Sequence, residues 1–352
     1  MSTAAAVPVM DVPWETFYYF RNALSGDRLD AYHMIDRGLS AWSPRFEVPG
    51  GIRFDEICRI YKSVIRDSPF RFFHVANISF SYGDTRSYIT PHYSLTPEER
   101  EKLAPQILQF LRRAQRKTAR LNDYEKVRAL HDSMVKHILY EDQDHPNEHN
   151  IVGPILHRKS VCEGIAVAFK LLCDLCEVPC IVVSGTTDTD EDWQTLDRTT
   201  HAWNMVQLDG AWFHIDVTFD TTISSYAERG FVKHPYFLRS DKAISVDHRT
   251  MTQPRPRSWK DFSIYRADGL YARTTAEAAA FIRMLKGQSR SVIFEYDPNI
   301  KNEETFFTEA MEQARLPFSY RYSIDQKYRI FAAYSKKSQA AQPRLSAEST
   351  AQ

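Results

Sequence analysis

The dipeptide Asp209-Gly210 separates two segments in which polar and apolar residues alternate, 201–208 and 211–217. Asp-Gly is strongly favoured in two-residue type I′ turns, whose backbone twist matches that of antiparallel strands. The turn predicts a hairpin whose pairing counts outward from Leu208 opposite Ala211, which would place His201 opposite Thr218. No other short pattern in the chain fixes so many spatial neighbours at once.

This register also assigns each side chain of the hairpin to a face. One face is mainly apolar and is expected to belong to a core; it carries Ala202, Asn204, Val206, Leu208, Ala211, Phe213, Ile215 and Val217. On the other face His201 and Asp216 become diagonal neighbours, about 7 to 8 Å apart at Cα. An imidazole and a carboxylate can bridge that distance, so the hairpin predicts a His201–Asp216 pair.

Cys162 begins a largely apolar segment in which Glu163, Lys170, Asp174 and Glu177 recur at helical spacing. We interpret 163–177 as a mostly buried helix with one solvated edge formed by those four residues. The amide groups and dipole at a helix start favour a thiolate and can hold an oxyanion. Cys162 is therefore a candidate nucleophile, although a buried helix entry without chemistry would show the same pattern.

The other thiols, Cys58, Cys173, Cys176 and Cys180, are expected to be reduced, buried and inert. The segment from Tyr140 to Ser160 is rich in metal-binding residue types: Asp142, Asp144, His145, His149 and His157. Their spacing matches no standard zinc signature, which favours a solvated loop bordering a cleft. We expect neither a metal nor another cofactor.

Four segments together resemble the transglutaminase-like superfamily of cysteine enzymes: Ser160-Val161-Cys162-Glu163-Gly164-Ile165-Ala166, Ile181 to Gly185, His201-Ala202-Trp203-Asn204 and Trp212 to Asp220. The resemblance implies an α+β fold with a papain-like core, in which a buried helix packs against an antiparallel sheet. It implies Cys162 as nucleophile, His201 as general base and acid, and Asp216 as the orienting carboxylate. Ser160 departs from the glycine of many relatives, which matters only if that position needs a positive φ.

The rest of the chain predicts flanking domains. Residues 1–120 form a mainly helical N-terminal domain, with a helix at 54–66, a hairpin within 70–89 and a capping box at Thr96. Residues 121–248 form the catalytic core, which opens with a capping box at Asn122, and 249–258 form a proline-containing linker. Residues 259–334 form a small α+β domain with a capping box at Thr274, a strand at 291–296 and a helix near 303–314, and 335–352 form a disordered tail. A weaker likeness to bacterial multidomain members extends into Ile65 to Pro69, Tyr236 to Asp241 and Asp247-His248.

The charges balance at 45 basic and 45 acidic residues, so no global field attracts nucleic acid or an anionic membrane. No segment approaches the roughly 18 apolar residues of a membrane span, and the N-terminus makes a poor secretory signal. We expect a cytoplasmic protein that acts on a protein or peptide, with its oligomeric state open.

The predicted chemistry is acyl transfer or hydrolysis on protein or peptide amides through a thioester, as in a peptidase, a deamidase or a transglutaminase. The residues do not choose between water and an amine as acceptor, and the resemblance to bacterial relatives favours hydrolysis. An inactive core that binds a protein partner is the alternative. A metal protein built on the His-rich loop and the cysteine cluster is a weaker third hypothesis.

Overall fold

The computed structural model describes residues 14–142, 147–223, 232–286, 291–317 and 320–335. The chain divides into two compact units, one drawn from Met1–Val232 and Tyr236–Phe262, the other from Lys233–Pro235 and Ser263–Gln352. The predicted N-terminal domain and linker, and the predicted core apart from Lys233–Pro235, thus fall in the first unit. Asp144 and His145 of the His-rich loop, and the predicted tail after 335, lie outside the described residues.

The N-terminal part of the first unit combines helices with a three-stranded sheet of order β1-β3-β2. The predicted helix at 54–66 is present, and the predicted hairpin is formed by β2 and β3, although residues 69–72 form a short helix instead of a strand. The bounds are α1 Tyr19–Asn22, α2 Gly26–Ser40, β1 Phe46–Pro49, α3 Phe54–Asp67, α4 Pro69–Phe72, β2 Val75–Ser81 and β3 Arg86–Tyr93.

Two long helices follow, and both begin with the predicted capping boxes. In α5 (Pro97–Thr118) the Thr96 side chain and Glu99 satisfy each other's backbone amides, and the helix continues through Pro105. In α6 (Asp123–His137) Asn122 and Glu125 do the same. Short elements lead on to the core: β4 Leu139–Tyr140, a π-helix at Gly153–His157 and β5 Lys159–Ser160.

The central sheet has the order β10-β6-β7-β8-β9 and is antiparallel throughout. The predicted register of the hairpin is observed, from Leu208 opposite Ala211 to Asn204 opposite Ile215. Asp209 and Gly210 both have positive φ, 48° and 75°, as a type I′ turn requires. The strands are β6 Cys180–Thr187, β7 His201–Leu208, β8 Ala211–Ile215, β9 Phe237–Arg239 and β10 His248–Thr250.

The hairpin is shorter than expected at its open end. The strand β8 stops at Ile215 and α8 (Val217–Ile223) begins almost at once, so His201 and Thr218 are not paired as strand residues. Asp216 thereby stands between a strand and a helix.

The buried helix α7 (Cys162–Leu175) packs on β6 and β7. Asn204 reinforces this packing, because its amide nitrogen donates to the carbonyl oxygens of Ala166 at 2.9 Å and Ile181 at 3.3 Å. The core helix and the antiparallel sheet together form the predicted α+β, papain-like core.

The predicted solvated edge of α7 is wrong for Lys170 and Asp174, which are 1% and 2% exposed. The Lys170 ammonium donates to both carboxylate oxygens of Asp174, at 2.5 and 2.6 Å. The segment before α1 covers this pair, and the backbone N–H of Phe17 donates to Asp174 at 3.3 Å. The sequence suggested a solvated edge because the spacing of polar residues does not show whether another segment of the chain covers them.

The same N-terminal segment covers the second face of the hairpin. Phe17, Tyr19 and Phe20 pack against Trp203 and Trp212, so β7 is buried on both sides. The buried carboxylate of Asp67 accepts the backbone N–H groups of Phe20 and Arg21 and the hydroxyl of Tyr32.

The predicted linker at 249–258 differs from the structure. Arg249 and Thr250 belong to β10, which pairs with β6 through Gly185 and Thr186. Ser258 is buried and its hydroxyl donates to the carbonyl oxygen of Trp212 at 2.7 Å. The prolines of this segment indicated an irregular chain, but its backbone is fixed to the sheet. The short helix α9 (Asp241–Ile244) precedes it.

The second unit has a sheet of order β11-β12-β14-β13, with α11 and α12 sharing its apolar core. The capping box at Thr274 is present, and the predicted strand at 291–296 and helix at 303–314 are observed with those bounds. Among the described residues, each helix of the chain is too short or too polar to cross a bilayer. The bounds are α10 Ile264–Ala267, β11 Tyr271–Ala272, α11 Thr275–Arg283, a 3₁₀ turn at Met284–Lys286, β12 Ser291–Tyr296, α12 Glu303–Ala314, β13 Tyr320–Asp325 and β14 Ile330–Ser335.

Candidate active site

Cys162 is the first residue of α7, after Val161 in extended conformation, and its thiol is free and partly exposed. The backbone around it is tightly packed: a Cβ on Gly164 would lie 2.2 Å from the Ser160 hydroxyl oxygen and 2.3 Å from the carbonyl oxygen of Glu148. Only glycine fits at 164 without displacing these neighbours. Ser160 does not have a positive φ, so its departure from glycine causes no backbone strain.

His201 and Asp216, predicted as neighbours across the hairpin, are hydrogen bonded. The distance from His201 Nε2 to Asp216 Oδ2 is 2.5 Å, and the carboxylate is fully buried. The other oxygen, Oδ1, accepts the backbone N–H of Phe219 at 2.9 Å, as a capping residue does at the start of α8. Asp216 is therefore held by a side chain on one oxygen and by the helix on the other.

The electrostatics of this pair favour an imidazolium beside a carboxylate. Burial alone lowers the pKa of His201, but the charge and hydrogen bond of Asp216, together with the Cys162 thiol, raise that pKa to about 10. Burial raises the pKa of Asp216, yet His201 and His248 outweigh it and leave the pKa far below its usual range. The charged forms stabilise each other.

His248 is a residue of the candidate site that sequence reasoning did not place. Its Nε2 lies 3.0 Å from Asp216 Oδ2, the same oxygen that contacts His201, and its Nδ1 lies 2.5 Å from Asp247 Oδ1. The strand β10 brings it there by pairing His248 with Thr187. The dipeptide Asp247-His248 was visible as a family likeness, but its position depended on a strand pairing that no local pattern indicated.

A cleft of about 390 Å³ opens beside Cys162 and His201. Residues of the N-terminal part supply one wall, and residues 199–202 and 149–151 supply others. Thr200, in the connection between β6 and β7, lies on it, and so does His149 of the His-rich loop. Its apolar lining includes Tyr61, Ile65, Pro69, Phe72, Phe73, Val75, Ala76, Ile151, Val167 and Ala202.

Trp203 lies behind the base and does not line this cleft. Its ring stacks on His201 with centroids 5.8 Å apart and 19° between the planes. The indole N–H donates to Nδ1 of His214 at 3.0 Å, and the Trp203 side chain is 1% exposed. Trp203 is therefore a buried residue that covers the His201 ring and forms no part of the cleft wall.

Glu163, the residue after the candidate nucleophile, forms an ion pair with the N-terminal part of the unit. Arg66 on α3 donates from Nε and Nη2 to the two carboxylate oxygens of Glu163, at 3.0 and 2.9 Å, and from Nη1 to Ser184 Oγ at 3.2 Å. The Arg66 side chain is 5% exposed and that of Glu163 is 29% exposed. Burial raises the pKa of Glu163, but Arg66 outweighs it and the pKa is lowered.

Beside the cleft, three side chains bring possible metal donor atoms together. One donor atom each from His201, Asp216 and His248 lie within 4.8 Å of one another. The hydrogen bonds of 2.5 and 3.0 Å to the shared oxygen account for this closeness. Cys173, Cys176 and Cys180 are free and buried, as expected for inert thiols.

Comparison with known proteins agrees with the class of fold described above. Residues 112–217 match the family model of the Transglutaminase-like superfamily, a segment that contains the cysteine, the histidine and the aspartate. The chain is thus similar to the transglutaminase-like superfamily over this segment, which is less than a third of its length.

Particular relatives are more distant. The chain is 27% identical over 201 residues to kyphoscoliosis peptidase of Mus musculus, a match that covers 51% of this chain and 30% of the mouse protein. The human protein of that name is 28% identical over 200 residues, with the same coverage. The chain thus spans less than a third of these curated relatives.

The similarity to solved structures is weak. A structure described as a TGase is 13% identical, with a TM-score of 0.31, and the match covers 68% of this chain and 67% of that one. The periplasmic domain of TgpA from Pseudomonas aeruginosa is 16% identical, with a TM-score of 0.26, over 40% of this chain and 57% of that one. With scores this low, these structures carry no further argument, and the similarity to the superfamily rests on the family model.

Proposed function

We propose that the chain hydrolyses amide bonds of a protein or peptide through a thioester on Cys162, with His201 and Asp216 completing the catalytic set. The observation that carries this proposal is the shared cleft: Cys162 and His201 both line it, and the far nitrogen of His201 is bonded to the buried Asp216. A nucleophile, a base and a group that orients the base are thus present together.

The proposed reaction begins with attack of the Cys162 thiolate on the carbonyl carbon of the amide. The C–N bond breaks as the His201 imidazolium gives its proton to the leaving amine, and a thioester remains. His201, now neutral, takes a proton from water, whose oxygen attacks the thioester. The C–S bond then breaks, and release of the acid restores the thiolate and the imidazolium.

The cleft supports a substrate with an apolar side chain close to the reacting carbonyl. Its wall includes aromatic and aliphatic residues of the N-terminal part, and Arg66 compensates the Glu163 carboxylate that borders it. An apolar pocket favours an apolar occupant, because water is released from both surfaces on binding.

The test is mass spectrometry of a peptide library incubated with the wild type and with Cys162→Ala, each with and without a primary amine. Hydrolysis gives products that gain water, depend on Cys162 and remain dominant when the amine is present. Cys58→Ala is the matched control, because Cys58 is a partly exposed thiol on α3 that does not line the cleft. Equal product from wild type and Cys162→Ala would refute the proposal, and amine adducts would indicate transfer instead.

The size of the pocket is tested separately by Ala76→Trp. Ala76 is an exposed cleft residue on β2, so an indole there would fill part of the volume. We expect slower cleavage of peptides with large apolar side chains, with peptides carrying alanine less affected. Ser81→Trp, at the exposed end of the same strand and away from the cleft, should leave both rates unchanged.

A further inference from the structure

Two imidazoles share one oxygen of Asp216, and only one of them lies on the cleft. Both His201 Nε2 and His248 Nε2 contact Asp216 Oδ2, at 2.5 and 3.0 Å. His201 lines the cleft beside Cys162, whereas the His248 side chain is 0% exposed and does not line it. His248 therefore cannot touch a substrate, and its effect on the reaction must pass through Asp216.

The contacts of His248 fix its charge. Its second nitrogen, Nδ1, lies 2.5 Å from a carboxylate oxygen of Asp247, which accepts the Tyr236 hydroxyl on its other oxygen at 2.7 Å. An imidazole whose two nitrogens both face carboxylate oxygens is satisfied only when both nitrogens carry protons. His248 is accordingly a buried imidazolium between Asp216 and Asp247, and the two carboxylates raise its pKa against the opposing effect of burial.

We propose that His248 is a positioning residue that fixes Asp216 and, as a buried cation on the same carboxylate oxygen, limits how strongly Asp216 holds the proton of His201. The proposal rests on the proposed function, since it concerns the proton that His201 gives to the leaving amine. Asp216 alone would bind the His201 imidazolium so tightly that donation slows. A second cation on the same carboxylate oxygen weakens that hold and keeps the imidazolium acidic enough to react.

The surroundings of His248 are otherwise apolar or already paired. Trp203 meets its ring edge-on at 5.0 Å, and the ring of Phe219 lies 4.7 Å away. With so little water near it, a charge on His248 acts on its neighbours with low screening. The titratable groups that face it are Asp216, Asp247, His201, Tyr236 and, at longer range, His214.

The test replaces His248 by glutamine, whose amide nitrogen can still donate to Asp216 but carries no charge. The His248 and His201 rings are 5.6 Å apart. At that separation and an effective dielectric of about 20, loss of one charge raises a pKa by about two units at most. The buried Asp247 carboxylate loses its cationic partner in this variant and can take up a proton, which would offset part of the rise. We therefore expect the pKa of His201 in His248→Gln to rise by about one unit.

Two measurements follow this shift. The first is NMR titration of the His201 ring in a Cys162→Ala background, where the thiol no longer contributes to the high pKa. The second is the pH–rate profile of amide hydrolysis with Cys162 intact, whose alkaline limb should move upward with the His201 pKa while the rate at neutral pH falls about tenfold. Tyr236→Phe is the control, because it removes one hydrogen bond from Asp247 without changing any charge. The pKa of His201 should be the same in this variant as in the wild type.

The outcomes are distinct. A His201 titration in His248→Gln that stays at the wild-type position, or moves no further than in Tyr236→Phe, overturns the inference. If the single variant does not fold, Asp247→Asn combined with His248→Gln removes both opposite charges, and a smaller upward shift is then expected, while no shift or a downward one overturns it. If no Cys162-dependent turnover exists, the proposed function fails, and the NMR titration still decides whether His248 controls His201.

Discussion

Replacing Arg66 by methionine should destabilise the first unit by much more than an ordinary ion pair would suggest. Removing one partner of a buried pair costs about 3 to 5 kcal/mol, because the other charge is left without compensation. The Glu163 side chain is 29% exposed, so water still solvates its charge and lowers this cost. The bond from Arg66 to Ser184 adds about 1 kcal/mol, which gives an expected loss of about 3 kcal/mol.

The assay is urea unfolding followed by tryptophan fluorescence, in a cycle of Arg66→Met, Glu163→Gln and the double variant. The double variant should cost less than the sum of the two singles, with a coupling energy of about 1 to 2 kcal/mol. Arg86→Met is the matched control: Arg86 pairs with Glu47 at 3.2 Å, but the two side chains are 66% and 37% exposed. Its loss should be below about 1 kcal/mol. The reasoning is refuted if Arg66→Met costs no more than Arg86→Met.

Three further results are expected. Gly164→Ala should unfold at a markedly lower temperature in a calorimetric scan and slow the alkylation of Cys162. The new methyl group would lie 2.2 Å from the Ser160 hydroxyl oxygen and 2.3 Å from the Glu148 carbonyl oxygen. An unchanged melting temperature would contradict this. Asp174→Asn should cost about 3 kcal/mol by urea unfolding, since it leaves the Lys170 ammonium buried, and replacing both residues by apolar ones should recover most of the loss. The pKa of His201 is about 10 in the folded protein and about 6.5 in the unfolded chain. Its contribution to stability is therefore complete below about pH 6.5 and is lost as the pH rises towards 10. The free energy of unfolding should fall over this pH range in the wild type and change less in His201→Gln.

Features set by neighbouring residues were predictable from the sequence. The capping boxes at Thr96, Asn122 and Thr274 are present, because their bonds join residues three apart. The hairpin register followed from one dipeptide, Asp209-Gly210, since a two-residue turn leaves the strands no alternative pairing. Local sequence patterns thus predicted the contacts between the two strands of the hairpin.

What the sequence did not predict depends on partners far along the chain. Arg66 and Glu163 are 97 residues apart, and the amide of Phe17 meets Asp174 across 157 residues. Neither pairing leaves a periodic trace, because one charged residue on a helix looks the same whether it faces water or a partner. His248 belongs to the same group: its place beside Asp216 requires β10 to join β6, and the prolines nearby indicated a linker instead.

Asp216 has two structural duties, since one of its oxygens meets the imidazoles and the other accepts the amide that starts α8. A lineage of such proteins could therefore lose its chemistry at the cysteine and still keep the aspartate, because folding would continue to select for it. In related chains an aspartate at this position is weak evidence of activity, and the thiol is the residue by which active and inactive members should be sorted.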